Sequence, residues 1–188
     1  MFEGWWRVAP QLAGAGYTVV SPDLCGSSKL PSAADHSPYS KRAMAGDIVS
    51  WAGPLGHARF AVVDHDRVSY VATRIALDVP GAVTHLAVLD SMPIGEALAR
   101  TDARFAAAWR HWFCFAQPER PGRPLHYRAG LGVDRAADNA DQAAGRRIGC
   151  PTSVLWAADL HGGPIESGHH IAEDASEQLV ADLTNLFR

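Results

Sequence analysis

Apolar residues along this chain fall into two patterns: short continuous runs, and repeats at the spacing of a helix face. Residues 60–63 form a short apolar run that is β-branched at its end, which predicts a buried strand. The polar residues 64–67, Asp-His-Asp-Arg, follow at once. A helical repeat then predicts a helix whose apolar face contains Val68, Val71, Ala72, Ile75 and Ala76. A strand, a sharp turn and a helix therefore meet at Asp66.

Three other apolar runs predict further strands, at residues 17–20, 83–89 and 152–157. The run 83–89 is followed by Asp90, so two successive strands each end near a carboxylate, with a helix between them. Such a strand–helix–strand unit has parallel strands and a right-handed crossover. Asp66 and Asp90 are therefore expected at the same edge of the sheet, where ligands bind in open parallel sheets.

Helical repeats account for much of the remaining chain. A short first helix is predicted from Trp5, Val8 and Leu12, and a last helix over residues 174–187. A further helix is predicted over 39–56, with one face that contains Met44, Ile48, Trp51 and Leu55. The polar or breaker-rich segments are expected to be loops, and they are residues 25–38, 118–124 and 159–168.

The middle of the chain differs from both ends. Residues 97–116 are rich in alanine and aromatic side chains and predict one or two helices, and residues 128–147 are alanine-rich and polar. Aromatic residues spaced in this way usually pack as core. We therefore expect residues 1–90 to form the first part of an α/β core, 91–149 a reduced helical cap over the strand ends, and 150–188 the C-terminal part of the core.

Composition narrows the classes of function. The 188 residues are 47% hydrophobic and 20% charged, as in an ordinary globular domain. A net charge of -3 argues against a nucleic-acid partner, and no apolar run is long enough to span a bilayer. The first residues lack the layout of a signal peptide, so we expect a cytoplasmic protein. The 3 cysteines, Cys25, Cys114 and Cys150, fit reduced thiols better than a disulfide framework.

A metal centre is not predicted. His161, His169 and His170 lie close in sequence to Glu166 and Glu173, but none of the usual zinc spacings is present. We therefore expect no metal ligands and no cofactor.

Many stretches, taken in order, resemble the haloacetate (fluoroacetate) dehalogenases and their epoxide-hydrolase relatives within the α/β-hydrolase superfamily. The similar stretches are WRVAP at 6–10, YTVVSPDL at 17–24, PYSKRAMAGDI at 38–48, HDR at 65–67, ALDVPGAVTHLAVLDSMP at 76–93, HW at 111–112, HYRAG at 126–130, CP at 150–151 and GH at 168–169. The resemblance implies an α/β fold, namely a truncated α/β-hydrolase fold with a mostly parallel sheet, flanking helices and a shortened helical cap.

The resemblance also implies a catalytic set. Asp66 would attack the halogen-bearing carbon and form an ester, and His169 would activate the water that hydrolyses this ester. Asp90 would orient His169 and stabilise its charge. His170 is the alternative base, but the glycine immediately before His169 favours His169.

Substrate-binding residues follow from the same resemblance. Arg67 would bind the substrate carboxylate with its planar guanidinium. His111, Trp112 and Tyr127 would donate hydrogen bonds to the departing halide. Tyr70 occupies the position of a second carboxylate-binding arginine, so it would contact the substrate from there.

The sequence departs from the family pattern at several places. Asp64 and Val68 stand where the turn around the nucleophile normally has small residues, and Asp64 would place a second carboxylate near Asp66. The chain begins near the first helix, without the first strands and the oxyanion loop. Shortening is expected in three segments, which are residues 25–28, 120–126 and 158–162. A sheet without its first strands has an exposed edge, so a homodimer is also expected.

Two classes of function follow. The first is a hydrolase that acts on a small-molecule substrate, either a halogenated acid, an epoxide or an ester, through Asp66. The second is a truncated, non-catalytic relative, in which Arg67 pairs with Asp64 or Asp66, Asp90 caps a turn and the cap aromatics only pack. A long distance between the Asp66 carboxylate and the His169 imidazole would favour the second class.

Overall fold

The computed structural model describes most of the chain, with four internal gaps. The described residues are 3–24, 36–99, 101–116, 125–158 and 165–188. Outside them lie Cys25, His161, the whole predicted loop 118–124, residues 25–35 and 159–164 of the other two predicted loops, and most of the segments in which shortening is expected. Cys114 and Cys150 carry free thiols, as expected.

Three parallel strands form the sheet of the described chain. They are β1 (Phe60–His65), β2 (Val83–Leu89) and β3 (Thr152–Leu155), in the order β1-β2-β3. His65 of β1 pairs with Leu89 of β2, and Leu89 pairs with Leu155 of β3, so the carboxyl ends of all three strands are level. The predicted strands and their parallel direction are confirmed, although β1 is two residues longer than predicted and β3 two residues shorter.

The strand predicted at residues 17–20 is wrong, because the structure gives these residues no regular secondary structure. Within the described chain no strand pairs with them, and Val20 is 53% exposed. A β-branched run has the propensity for an extended backbone, but a strand also needs a neighbour that satisfies its N–H and C=O groups.

Ten α-helices surround the sheet within the described residues. They are α1 (Val8–Gly14), α2 (Lys41–Ala52), α3 (Ser69–Asp78), α4 (Ile94–Ala99), α5 (Ala103–Ala108), α6 (Arg110–Ala116), α7 (Leu125–Ala129), α8 (Arg135–Ala143), α9 (Ile171–Asp174) and α10 (Ser176–Leu186). A π-helical turn, Gly130–Asp134, joins α7 to α8. None of these helices is long and apolar enough to cross a bilayer.

The apolar face predicted for the second helix is only half correct. Met44 is buried and Ile48 packs against the core, but Trp51 and Leu55 are 40% and 54% exposed. Helix α2 ends at Ala52, before Gly53 and Pro54. Because the helix stops there, Leu55 lies outside it and does not extend its apolar face.

Two apolar clusters cover the two faces of the sheet. Helices α1 and α10 pack on one face, and α2 and α3 pack on the other. Strand β2 supplies both clusters, with Ala87 and Leu89 in the first and Leu86 and Val88 in the second. A strand buried on both faces reads as a continuous apolar run, which is the pattern seen in its sequence.

The aromatic residues of the middle segment form a third cluster. The cluster contains Phe105 of α5, Trp112 of α6 and Trp109, which lies between these two helices. They pack around Tyr70 of α3 and Ile94 of α4. The expectation that these aromatic residues pack as core is confirmed. The segment forms three short helices, α4 to α6, rather than one or two, and Asp102 caps α5 by accepting a hydrogen bond from the Phe105 N–H at 2.7 Å. The division of the chain into core and cap stays a prediction.

A buried arginine ties helix α8 to the core. Arg74 of α3 is 4% exposed, and it pairs with Asp141 and, at 2.7 Å, with Asp138 on α8. Asp138 also accepts a hydrogen bond from the Gly95 N–H of α4 at 3.1 Å. One guanidinium therefore joins three helices.

Replacing Arg74 with methionine is expected to lower the free energy of unfolding by about 3 kcal/mol, because two partly buried carboxylates lose their shared partner. Urea unfolding followed by circular dichroism measures this change. The matched control is Arg42→Met, since Arg42 pairs with Asp78 at 2.7 Å but its side chain is 51% exposed. Its loss should cost less than about 1 kcal/mol. Equal effects of the two substitutions would contradict the assignment.

Candidate active site

Two aspartates lie just beyond the ends of neighbouring strands, each with a strained backbone. Asp66 follows β1 with φ of 52°, and Asp90 follows β2 with φ of 51°. Positive φ is uncommon for residues other than glycine, and it is most common at tight turns and functional sites. Because β1 and β2 are parallel, both carboxylates lie at the same edge of the sheet, as the sequence predicts.

His169 stands between these two carboxylates. Its Nδ1 lies 2.7 Å from Oδ2 of Asp90, and its Nε2 lies 3.8 Å from Oδ2 of Asp66. The first distance is a short hydrogen bond, and the second is an ion pair without a hydrogen bond. The Asp90 carboxylate is fully buried, and its other oxygen accepts a hydrogen bond from the Ala157 N–H at 3.2 Å. Asp90 is thus held in place, and it directs the free nitrogen of His169 toward Asp66.

Asp66 and His169 shift each other's pKa. The Asp66 carboxylate and, less strongly, the Asp90 carboxylate raise the pKa of His169 to about 9, against the opposing effect of burial. Burial would raise the pKa of Asp66, but His169 and the backbone N–H of Arg67 outweigh it and lower that pKa. At neutral pH, therefore, Asp66 is ionised and His169 carries a proton.

Arg67 is buried in an aromatic cage beside Asp66. It is 6% exposed, and its guanidinium carbon lies 3.7 Å from the ring centroid of Tyr127, 4.7 Å from that of Trp112 and 5.9 Å from that of Tyr70. Its Nε and Nη1 atoms are buried and have no hydrogen-bond partner within the described residues. Buried charged donors are costly when unpaired. A small anion in the cage would accept a hydrogen bond from one of these donors and compensate the charge of the guanidinium.

A glycine makes room for this arginine. A Cβ atom placed on Gly130, in the π-helical turn, would lie 3.3 Å from Nη2 of Arg67. This spacing is tighter than an ordinary van der Waals contact, so a larger residue would displace the guanidinium or the turn. The turn that follows α7 therefore sets one wall of the cage.

The other predicted substrate-binding residues lie around the same cage. Trp112 is buried, and its Nε1 has no hydrogen-bond partner within the described chain. His111 and Tyr127 contact each other edge to face, with ring centroids 6.3 Å apart. Burial, followed by the charge of Arg67, lowers the pKa of His111, so that this imidazole is neutral at pH 7. Tyr70 packs edge to face on Trp112, with ring centroids 6.2 Å apart.

The pKa of Asp64 is raised, as its position beside Asp66 predicts, but the main cause is burial. Its pKa is raised to about 7, chiefly by burial, while the charge of Asp66 has a smaller effect. Its Oδ1 accepts a hydrogen bond from the His65 N–H at 3.0 Å. Val68 is only partly buried and packs against the cluster of α2 and α3, so the turn accommodates its bulk.

Two residues of the site were not predicted from the sequence. Lys41, the first residue of α2, is buried, and burial followed by the charge of Arg67 lowers its pKa to about 8. His65 lies against His169, with ring centroids 4.5 Å apart. A lysine at the start of a helix gives no sequence signal of burial. His65 could have been noticed, because it directly precedes Asp66.

The similarity of this chain to known proteins comes from individual relatives and solved structures. No family model matches the chain. The chain is 46% identical over 117 residues to a fluoroacetate dehalogenase from Burkholderia sp., and the match covers 61% of this chain and 38% of that protein. The chain thus spans about two-fifths of the length of this relative.

Solved structures match more of the chain. A candidate epoxide hydrolase from Pseudomonas aeruginosa, solved as a Q244E mutant, aligns with a TM-score of 0.80 and 32% identity, over 97% of this chain and 82% of that one. A candidate α/β hydrolase from Nostoc sp. PCC 7120 aligns with a TM-score of 0.85 and 30% identity, over 97% and 85% of the two chains. With its parallel sheet flanked by helices, the chain belongs to the α/β-hydrolase superfamily, in its dehalogenase and epoxide-hydrolase-like group.

Proposed function

We propose that this chain hydrolyses a small halogenated carboxylic acid through a covalent ester on Asp66. The observation that carries the proposal is the position of His169, which is hydrogen-bonded to buried Asp90 and faces the ionised Asp66 carboxylate at 3.8 Å. The fluoroacetate dehalogenase relative supports the choice of substrate.

Substrate binding would use the unpaired donors of the cage. The carboxylate of the haloacid accepts a charge-assisted hydrogen bond from the guanidinium of Arg67, whose Nε and Nη1 are buried and unpaired in the described chain. This pairing would neutralise a buried guanidinium and place the neighbouring carbon near Asp66. Since Tyr70 stands in place of a second arginine, one cation alone would hold the substrate here.

The first step is displacement of the halide. An oxygen of Asp66 attacks the carbon that bears the halogen, a C–O bond forms, and the C–halogen bond breaks with its electron pair leaving on the halide. Trp112 Nε1, which is buried and has no partner within the described chain, is a donor for the departing ion. His111 and Tyr127 supply further donors. Such donors stabilise the developing charge most strongly when water is excluded.

The second step depends on the pKa of His169. Esterification removes the free carboxylate of Asp66, whose direct interaction with the imidazole is the largest cause of the high pKa of His169. The imidazolium therefore releases its proton, and the neutral ring takes a proton from water as this water attacks the ester carbonyl. The ester C–O bond to Asp66 then breaks, which releases a hydroxy acid and regenerates the carboxylate. Asp90 stabilises the imidazolium again.

A His169→Gln substitution tests this sequence of steps. Because the first step does not need the base, the variant is expected to release about one halide per protein and to accumulate an ester on the peptide that contains Asp66. Mass spectrometry of the digested protein detects the adduct. The matched control is the double variant with Asp66→Asn, which should form no adduct. Sustained turnover by His169→Gln, or an adduct on another residue, would contradict the proposal.

Two related functions remain as alternatives. Epoxide or ester hydrolysis would use the same Asp66 and His169, and the Pseudomonas relative supports the epoxide. A non-catalytic relative is favoured by Asp64, whose pKa of about 7 changes the charge beside the nucleophile around neutral pH. A panel of haloacid, epoxide and ester substrates separates these functions, and no turnover on any of them would favour the last. A cytoplasmic location and a homodimer stay predictions.

A further inference from the structure

His65 is a site residue that the proposed mechanism does not use. It is the last residue of β1, directly before Asp66. Its ring lies against that of His169, with 4.5 Å between centroids and 46° between planes. Its Nε2 atom is buried and has no hydrogen-bond partner within the described residues. A buried imidazole nitrogen without a partner needs an explanation, because such an atom loses its interaction with water.

The unpaired imidazole completes a set of potential metal ligands. His65, Asp90 and His169 each supply one ligand atom, and these atoms lie within 4.8 Å of one another. In a tetrahedral zinc site with bonds of about 2.0–2.1 Å, ligand atoms lie roughly 3.3 Å apart. The widest spacing must therefore shrink by at most about 1.5 Å, which rotation of an imidazole ring can supply.

The chemistry of the three ligands favours a divalent transition-metal ion. Two imidazoles and one carboxylate, with a fourth position left for water, form a donor set typical of Zn²⁺. The Asp66 carboxylate, 3.8 Å from His169 Nε2, adds negative charge nearby. Sequence spacing did not predict this set, because its members come from β1, from the end of β2 and from the segment before α9.

We propose that His65, Asp90 and His169 bind one divalent cation of the Zn²⁺ type, and that the bound ion switches the active site off. The ion takes the Nδ1 lone pair of His169 in place of the hydrogen bond to Asp90, so the ring keeps its proton on Nε2 and this nitrogen can no longer accept a proton from water. The site is thus inhibitory, which differs from a resident cofactor that assists the reaction. The binding of the ion goes beyond the proposed function, because it does not require turnover, whereas its inhibitory role rests on that function.

Cobalt binding tests the site directly. Metal-free protein titrated with Co²⁺ is expected to develop visible absorption bands of a low-coordinate ion at one equivalent, and Zn²⁺ should abolish them. A His65→Gln substitution should weaken Co²⁺ binding at least ~100-fold, since loss of a ligand costs more than loss of its supporting contacts. The matched control is His170→Gln, since the ring of His170 lies 5.6 Å from that of His169 but belongs to no ligand set.

Several outcomes would overturn the proposal: no binding at one equivalent, equal binding by the His65→Gln variant, or equal weakening by His170→Gln. Far-ultraviolet circular dichroism checks that the variants are folded. If His65→Gln does not fold, Asp90→Asn provides a second variant that lacks one ligand.

Halide release gives the second measurement. Zn²⁺ should inhibit the unmodified protein at about one equivalent, and EDTA should restore its activity. The Zn²⁺ concentration that halves the activity should be at least ~100-fold higher for His65→Gln than for the unmodified protein, whatever the basal rate of the variant. Activation by Zn²⁺ would overturn the inhibitory role. If the protein binds Co²⁺ at one equivalent but releases no halide in metal-free buffer, the metal site is supported and the proposed hydrolase fails, so the two failures are distinguishable.

Discussion

Replacing Asp66 with asparagine is expected to lower halide release from a haloacetate by at least ~10⁴-fold, because the amide oxygen is far less nucleophilic than a carboxylate. A halide-selective electrode measures the release. Asparagine has nearly the same shape, and it tolerates positive φ as well as aspartate does, so the strained turn at φ 52° should persist. The loss would therefore reflect chemistry more than folding.

Asp64→Asn is the matched control for this experiment, because it changes a carboxyl group on β1, two residues before Asp66. It should keep most of the activity, and it should flatten the pH dependence of activity near neutral pH, where Asp64 titrates with a pKa of about 7. If Asp64→Asn removed as much activity as Asp66→Asn, or if Asp66→Asn stayed active, the assignment of the nucleophile would be wrong.

The second large effect is expected on the proton equilibrium of His169. In the unmodified protein its pKa is raised to about 9, and the Asp66 carboxylate is the largest cause. In Asp66→Asn this cause is absent, so the pKa should fall toward the usual value of 6.5. Titration of the imidazole proton and carbon signals by NMR, in a buffer with EDTA, measures both values. The experiment needs no substrate, so it tests the electrostatics of the site separately from its activity.

The same shift predicts how stability depends on pH. A histidine whose pKa is raised on folding stabilises the folded state most below pH 6.5, and the contribution is lost as pH rises through 9. For a side chain that is 29% exposed, this contribution is at most about 3 kcal/mol. The free energy of unfolding should therefore fall less between pH 6 and pH 10 in Asp66→Asn than in the unmodified protein. Equal losses in both proteins would contradict the coupling between Asp66 and His169.

The high pKa of His169 has a consequence for the order of events. A histidine that is protonated at neutral pH is a poor base, but it is a suitable partner for an ionised nucleophile. In the proposed mechanism, formation of the ester removes the Asp66 carboxylate that held the proton, and His169 would then become available as a base for the water step. Because the Asp66 carboxylate keeps His169 protonated, His169 would act as a base only after the ester has formed. Until then, the proton on His169 would keep Asp66 in its ionised form.

Arg67 illustrates how burial directs specificity. Its guanidinium is enclosed by Tyr127 and Trp112, and two of its N–H groups lack partners in the described chain. An uncharged substrate would leave the buried charge of Arg67 without a partner, whereas a carboxylate would pair with it. Among the substrates proposed above, the cage therefore favours acids over neutral epoxides and esters.

Local patterns in the sequence predicted most of the fold. The apolar runs of β1, β2 and β3 and the repeat of α3 depend on a few consecutive residues, so they could be interpreted without knowledge of their neighbours. The prediction failed where a neighbour decides the outcome. Residues 17–20 have the propensity of a strand, but no strand in the described chain pairs with them. Leu55 has the helical spacing of the α2 apolar face, but α2 ends at Ala52, and Gly53 and Pro54 follow.

The sequence by itself determined the family pattern, the parallel order of the strands and the two carboxylates at one sheet edge, because each follows from residue order and local periodicity. Only the tertiary structure decided the burial of Lys41, the cage around Arg67 and the contact of His65 with His169. Burial and pKa depend on distances between residues far apart in the chain, and spacing along the sequence does not contain those distances. The sequence pointed to Asp66 as the candidate nucleophile at the turn after β1. The charges of Asp66 and His169 depend on their distance in the folded protein.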